Sequence, residues 1–114
     1  MKQKIEKALQ ELKEETFYGV GRFKERNSWD CIIFGRRKSR KSDGNTLSKR
    51  WFVAIVKEDE IPEGMEEEVI EVMRKAGLKR ADTDIQYDYV DKSGECVVEI
   101  CTMEFYKSEK GCKA

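Results

Sequence analysis

The sequence predicts an α+β domain with a mainly antiparallel sheet of four to five strands and two helices packed on one face, on three observations. Two segments repeat their apolar residues at helical spacing, two neighbouring runs are dense in aromatic and β-branched residues, and the last third alternates as strands do. The element order read from them is α-β-β-β-α-β-β. At 114 residues the chain is one domain by length and can bury roughly 65% of its unfolded surface, enough for a single modest core. The domain is expected over residues 1–107, with 108–114 as a frayed, disordered tail.

Lys2 to Lys13 places Ile5, Ala8, Leu9 and Leu12 on one face and Lys and Glu on the other, an amphipathic helix that ends before Thr16. Phe17 to Phe23, with Tyr18, Val20 and two glycines, reads as a short or bulged strand, and Asn27-Ser28 as a turn. Trp29 to Gly35 and Arg50 to Val56 then pair as antiparallel strands, leaving the basic stretch between them mostly as a loop. Pro62 fits a first helical turn, Met65, Val69, Val72, Met73 and Ala76 recur at helical spacing, and Gly77 supplies the stop. Asp84 to Tyr89 alternates as a half-buried strand, Lys92-Ser93-Gly94 turns the chain, and Cys96 to Tyr106 forms a long last strand.

Trp51 to Val56 is apolar at every position, so both its faces want cover. Two helices of about three to four turns can blanket only one side of the sheet. The other side is expected to be closed either by the sheet curling over itself or by a neighbouring subunit, the usual use of an exposed apolar patch.

Charge is divided along the chain although 23 basic and 23 acidic residues cancel overall. From Arg36 to Arg50 seven basic residues accompany one acidic residue, a net +6; from Lys57 to Glu71 eight acidic residues accompany one basic, a net −7. Two such poles on one small domain favour head-to-tail association of copies. The candidate contact residues are Arg36, Arg37, Lys38, Arg40 and Lys41 on the basic side and Glu63, Glu66 and Glu67 on the acidic side. The same basic run also suits sequence-independent contact with nucleic-acid phosphates, or a plain solvated hairpin tip. Trp29 and Trp51 flank it at strand positions, where core packing is the commoner role.

Other chemistry lacks its residues. Histidine is absent, which removes Ser-His and Cys-His pairs and imidazole metal ligands. The four cysteines contain no Cys-x-x-Cys pair and read as reduced thiols, Cys31 and Cys101 as small core residues and Cys112 as exposed in the tail. Asp82, Asp84 and Asp88 lack the glycine and terminal glutamate of a calcium loop, and Gly19-Val-Gly21 lacks the third glycine of a dinucleotide fingerprint. No catalytic residue, cofactor or metal is expected. No apolar run approaches about 18 residues and the start lacks a signal peptide's apolar stretch, so no membrane association and synthesis in the cytoplasm are expected.

Three stretches resemble a known family: Trp29-Asp-Cys-Ile-Ile-Phe-Gly-Arg-Arg-Lys-Ser-Arg-Lys-Ser, Val53-Ala-Ile-Val-Lys-Glu-Asp-Glu-Ile-Pro-Glu-Gly-Met, and Ala81-Asp-Thr-Asp-Ile-Gln-Tyr-Asp-Tyr-Val with Val97-Val-Glu-Ile. They are similar to the small tail-terminator or tail-completion (head-tail joining) proteins encoded in prophages of Gram-positive bacteria. That resemblance spans roughly residues 17 to 107. It implies a non-enzymatic virion protein that forms a ring, typically a hexamer, on the end of the phage tail tube and docks the head connector, assembled in the host cytoplasm and ending in the virion tail. The family has no catalytic residues to carry over.

Overall fold

The computed structural model describes residues 1–22, 28–41 and 47–108, with backbone alone for Lys38–Lys41, Leu47, Ser48 and Ser108. Its elements are α1 (Lys2–Gln10), β1 (Thr16–Tyr18), β2 (Cys31–Lys41), β3 (Leu47–Glu58), α2 (Met65–Lys75), β4 (Lys79–Arg80), β5 (Gln86–Lys92) and β6 (Cys96–Ser108). The α+β class stands, with six strands ordered β1-β2-β3-β6-β4 and β5 also paired to β6. All pairings are antiparallel except β1 with β2.

α1 is shorter than the predicted Lys2–Lys13 because its end tightens: Leu12 and Lys13 donate to the carbonyls of Leu9 and Gln10, three residues back, and Lys13 then turns left-handed at φ 61°. α2 starts at Met65 instead of at Pro62, whose carbonyl accepts the Met65 N–H. Gly77 stops it as predicted. At φ 96° it lets the Leu78 N–H reach back to the Met73 carbonyl at 3.0 Å, a closure that a side chain would strain.

Both helices lie on one face of the sheet. Alternation along β3 sends Trp51, Val53 and Ile55 to that side, and the register sets them beside Ile32 and Phe34 of β2 and Cys101, Met103 and Phe105 of β6. Ile5 and Leu9 of α1 and Val69, Val72 and Met73 of α2 close over these rows into one core. Among the described residues no polar or charged side chain is buried.

The other face carries Ile33, Ala54 and Thr102 in one row and Gly35, Phe52 and Glu104 in the next. At its lower end Cys31, Val56 and Val98 are buried as a separate small cluster, with Phe17, Trp29, Ile33 and Ile100 packed partly over it. Higher up, Ile33, Phe52 and Thr102 are only half-buried. This face is thus closed at one end by its own chain and incompletely covered in its centre.

Three predicted elements are corrected and one is added. The basic stretch is not a loop to Lys41: β2 and β3 continue as a ladder, with Ser39, Arg40 and Lys41 opposite Lys49, Ser48 and Leu47, interrupted by one register shift between Arg36 and Ser39. Backbone pairing carries these strands past the apolar residues that start them. β5 is not half-buried; Gln86 to Asp91 are all exposed, because the strand lies at the sheet edge, paired on one side only. β4, two residues long, is additional, held by Lys79 opposite Tyr106 and Arg80 opposite Phe105. β6 runs to Ser108, so the tail does not start there. The expectations on residues 109–114, Cys112 among them, on Phe23, on Asn27 and on the tip at 42–46 fall outside the described residues.

Candidate functional site

The basic end is assembled by register. Arg36 sits opposite Trp51, in line with Phe105, and its guanidinium lies 5.6 Å from the centre of the Trp51 ring. Arg37 lies on the other face, 4.8 Å over the Phe52 ring, with Nε 3.3 Å from Glu104 Oε2. Arg50 reaches the same carboxylate, Nη1 to Oε1 3.7 Å. Lys49 stands directly opposite Lys107, and Lys79 and Arg80 border them. One carboxylate therefore serves two guanidiniums while further cations crowd the same end. Arg50 Nε and Arg80 Nη1 are shielded from solvent without a hydrogen-bond partner among the described residues, and a buried unmet donor is costly. Arg36 and Arg37 are exposed; Lys38, Arg40 and Lys41 continue the strand, and only their backbone is described.

The acidic side is built on the first turn of α2, where Glu66, Glu67 and Glu68 meet the positive end of the helix dipole. Glu63 and Glu67 are exposed, and Glu66 accepts a hydrogen bond from the Tyr87 hydroxyl at 2.6 Å, which ties this turn to β5. That bond, with partial burial, pushes the Tyr87 phenol well above its ordinary value. Tyr89 is raised in the same way by donating to Glu99 at 2.7 Å. Beneath Tyr87, burial and then the charge of Glu66 push the Cys101 thiol up to about 11.

Among the candidates whose side chains are described, Arg36 and Arg37 are not paired with Glu63, Glu66 or Glu67 within one copy. Tyr87, and with it Glu66, belongs to the row of Cys101, whereas Arg36 belongs to the row of Phe105, about 13 Å further along β6 at 3.3 Å per residue. Trp51 is in the core as expected and Trp29 packs over the second-face cluster.

Two further polar groupings lie outside the basic end. The Glu58 carboxylate accepts from Lys92 Nζ at 2.6 Å and the Trp29 N–H at 2.8 Å, which together hold its pKa down. Cys96 lies 3.9 Å from it and is pushed up by burial and then by that charge, the opposite of thiolate activation. An open cleft of about 500 Å³ between the end of α1 and α2 is lined by Glu11, Lys13, Glu67, Glu68 and Glu71 with Leu12 and Val72. It holds carboxylates and one ammonium but neither a thiol nor a hydroxyl nucleophile. Among the described residues no group of three metal-ligating side chains occurs, and no helix is long and apolar enough to cross a membrane.

Sequence reasoning missed Arg50, Glu104, Phe52 and Tyr87. Each acquires its role from a partner brought by the β3–β6 or β5–β6 register, and no local spacing signals that. No protein-family model matches the chain, and no curated protein matches it.

Proposed function

We propose that the protein is a structural component of a phage virion, of the tail-terminator or head-tail joining kind, whose copies close head to tail into a ring on the end of the tail tube. The observation that carries this reading is the separation of charge within one copy: a basic end where two guanidiniums share one carboxylate, and an acidic helix start whose row lies about 13 Å away along the sheet. Unlike surfaces on one chain complement each other between copies, and a heterologous contact of this kind generates a ring where the rotation between copies closes. The half-covered centre of the second face, Ile33 and Phe52, supplies apolar area for the tube or the head connector. The resemblance of the three quoted stretches points to the same class.

Phage production tests it. Arg36→Glu, Arg37→Glu and Lys38→Glu together are expected to stop particle assembly and to abolish the salt-sensitive association that light scattering should detect in the wild type. Normal particles from this variant would remove the basic segment from the account.

One observation favours a second reading, sequence-independent contact with DNA. Lys49 opposite Lys107, with Lys79 and Arg80 beside them, is an arrangement that phosphates would stabilise. Retention of duplex DNA by the purified protein, lost steeply with salt and lost in the same triple variant, would establish that role; no retention at low salt rejects it.

A further inference from the structure

Two edges of the sheet are open, and they are chemically unlike. β5 pairs only with β6, in unbroken register from Gln86–Thr102 to Lys92–Cys96, so the outer backbone groups of Gln86–Asp91 have no partner among the described residues. Natural edges are guarded by charged side chains, proline, bulges, extreme shortness or a covering element. β5 has only the first of these: it carries Asp88, Asp91 and Lys92, but it is seven residues long, lacks proline and bulge, and six of its seven residues are exposed. Its flanks are acidic, with Asp82, Asp84, Asp88 and Asp91 in and before the strand.

The second open edge is the distal part of β2. β1 covers β2 only from Thr16–Ile32 to Tyr18–Phe34, with a last bond from the Gly19 N–H to the Phe34 carbonyl. From Gly35 to Lys41, also seven residues but with the register shift between Arg36 and Ser39 inside it, the outer side of β2 has no strand beside it among the described residues. That segment carries Arg36, Arg37, Lys38, Arg40 and Lys41.

Resting on the reading that copies associate head to tail, we infer that the junction is a strand pairing: the outer edge of β5 in one copy hydrogen-bonds to Gly35–Lys41 of β2 in the next. Strand direction agrees. β2, β3, β6 and β5 alternate in direction, so β5 runs opposite to β2, and a neighbour joined in the same orientation continues the antiparallel ladder. Space agrees as well, since the incoming β5 would sit end to end with β1 along the one β2 strand. Charge selects the pairing: β5 against β5 sets aspartates together and β2 against β2 sets cations together, while β5 against β2 sets opposite signs side by side. The contact is therefore heterologous and propagates from copy to copy instead of stopping at a dimer, with each copy staggered along the strand direction, and it closes into a ring where the rotation between copies allows.

The test uses two variants of the full chain, one with Asp84→Lys and Asp88→Lys, the other with Arg36→Glu and Arg40→Glu, each checked by thermal melting to be folded. Sedimentation at low salt should show wild-type association, with each variant alone weakened at least about tenfold. Mixed in equal amounts, the two should assemble again, because the reversed β5 of one meets the reversed β2 of the other. In the wild-type oligomer, amide exchange should slow across Gln86–Lys92 relative to dilute protein. If wild type associates but the mixture does not, or exchange in β5 is unchanged, the strand pairing is overturned while head-to-tail association survives. If wild type stays monomeric at all concentrations and salts, both readings fall.

Discussion

Replacing Gly35 by alanine should destabilise the protein, and the cause can be traced to one ring. Gly35 lies in β2 directly opposite Phe52, without a positive φ that would demand glycine. A Cβ at this position would stand 2.8 Å from Phe52 Cε1 and 3.2 Å from Cζ, inside the 3.4–4 Å of ordinary contact. The ring cannot lift away freely, because the Arg37 guanidinium lies 4.8 Å over it and is paired to Glu104. Overpacking of this kind costs about 1–3 kcal/mol, and the stiffer unfolded chain returns about 0.4–1 kcal/mol. The ring is half-buried and can yield in part, so the net loss should be about 1 kcal/mol, read from the midpoint of urea unfolding at unchanged slope. In a Phe52→Ala background the obstacle is gone and only the chain-entropy effect remains, so the same Gly35→Ala change should stabilise by about 0.5–1 kcal/mol. A sign that is the same in both backgrounds would refute the packing account.

Glu58→Gln should weaken the acid limb of the stability profile. Lys92 and the Trp29 N–H hold the folded carboxyl below its ordinary 4.5, so its contribution is present above that value and fades as pH falls through the lower folded value; the variant's stability should therefore change less with pH below about 4.5. In an absorbance titration Tyr87 and Tyr89 should ionise late, and Glu66→Gln should bring Tyr87 down while leaving Tyr89 high; no movement would reject the hydrogen bond. Phe34→Ala, at a fully buried ring facing Val53, should cost about 3–5 kcal/mol in denaturant unfolding.

How much of this was legible depended on whether a residue's role was local. Ile5, Leu9, Val69, Val72 and Met73 announced two helix faces by spacing alone, and the unbroken apolar run from Trp51 to Val56 announced a strand with two faces to cover. Cys31 and Cys101 were readable as core for the same reason. The extension of β2 to Lys41 was not legible, because charged residues in a hairpin arm are held by backbone bonds and leave no alternation behind. β5 misled in the opposite direction: Ile85, Tyr87 and Tyr89 alternate as a buried face would, yet only Ile85 packs against the core, and the two phenols end on the carboxylates of Glu66 in α2 and Glu99 in β6. The two charge poles could be counted in the sequence, but the sharing of Glu104 by Arg37 and Arg50 needs residues 67 and 54 positions apart to meet, and only the sheet register does that.

β6 follows every other element in the chain and is hydrogen-bonded to three of them, β3, β4 and β5. During synthesis on the ribosome, then, Trp51, Val53 and Ile55 leave the exit tunnel with no β6 to lie beside, and α2 emerges before the sheet it covers is whole. The nascent polypeptide cannot complete its sheet until β6 is delivered, which makes it a natural client for chaperones that shield apolar segments.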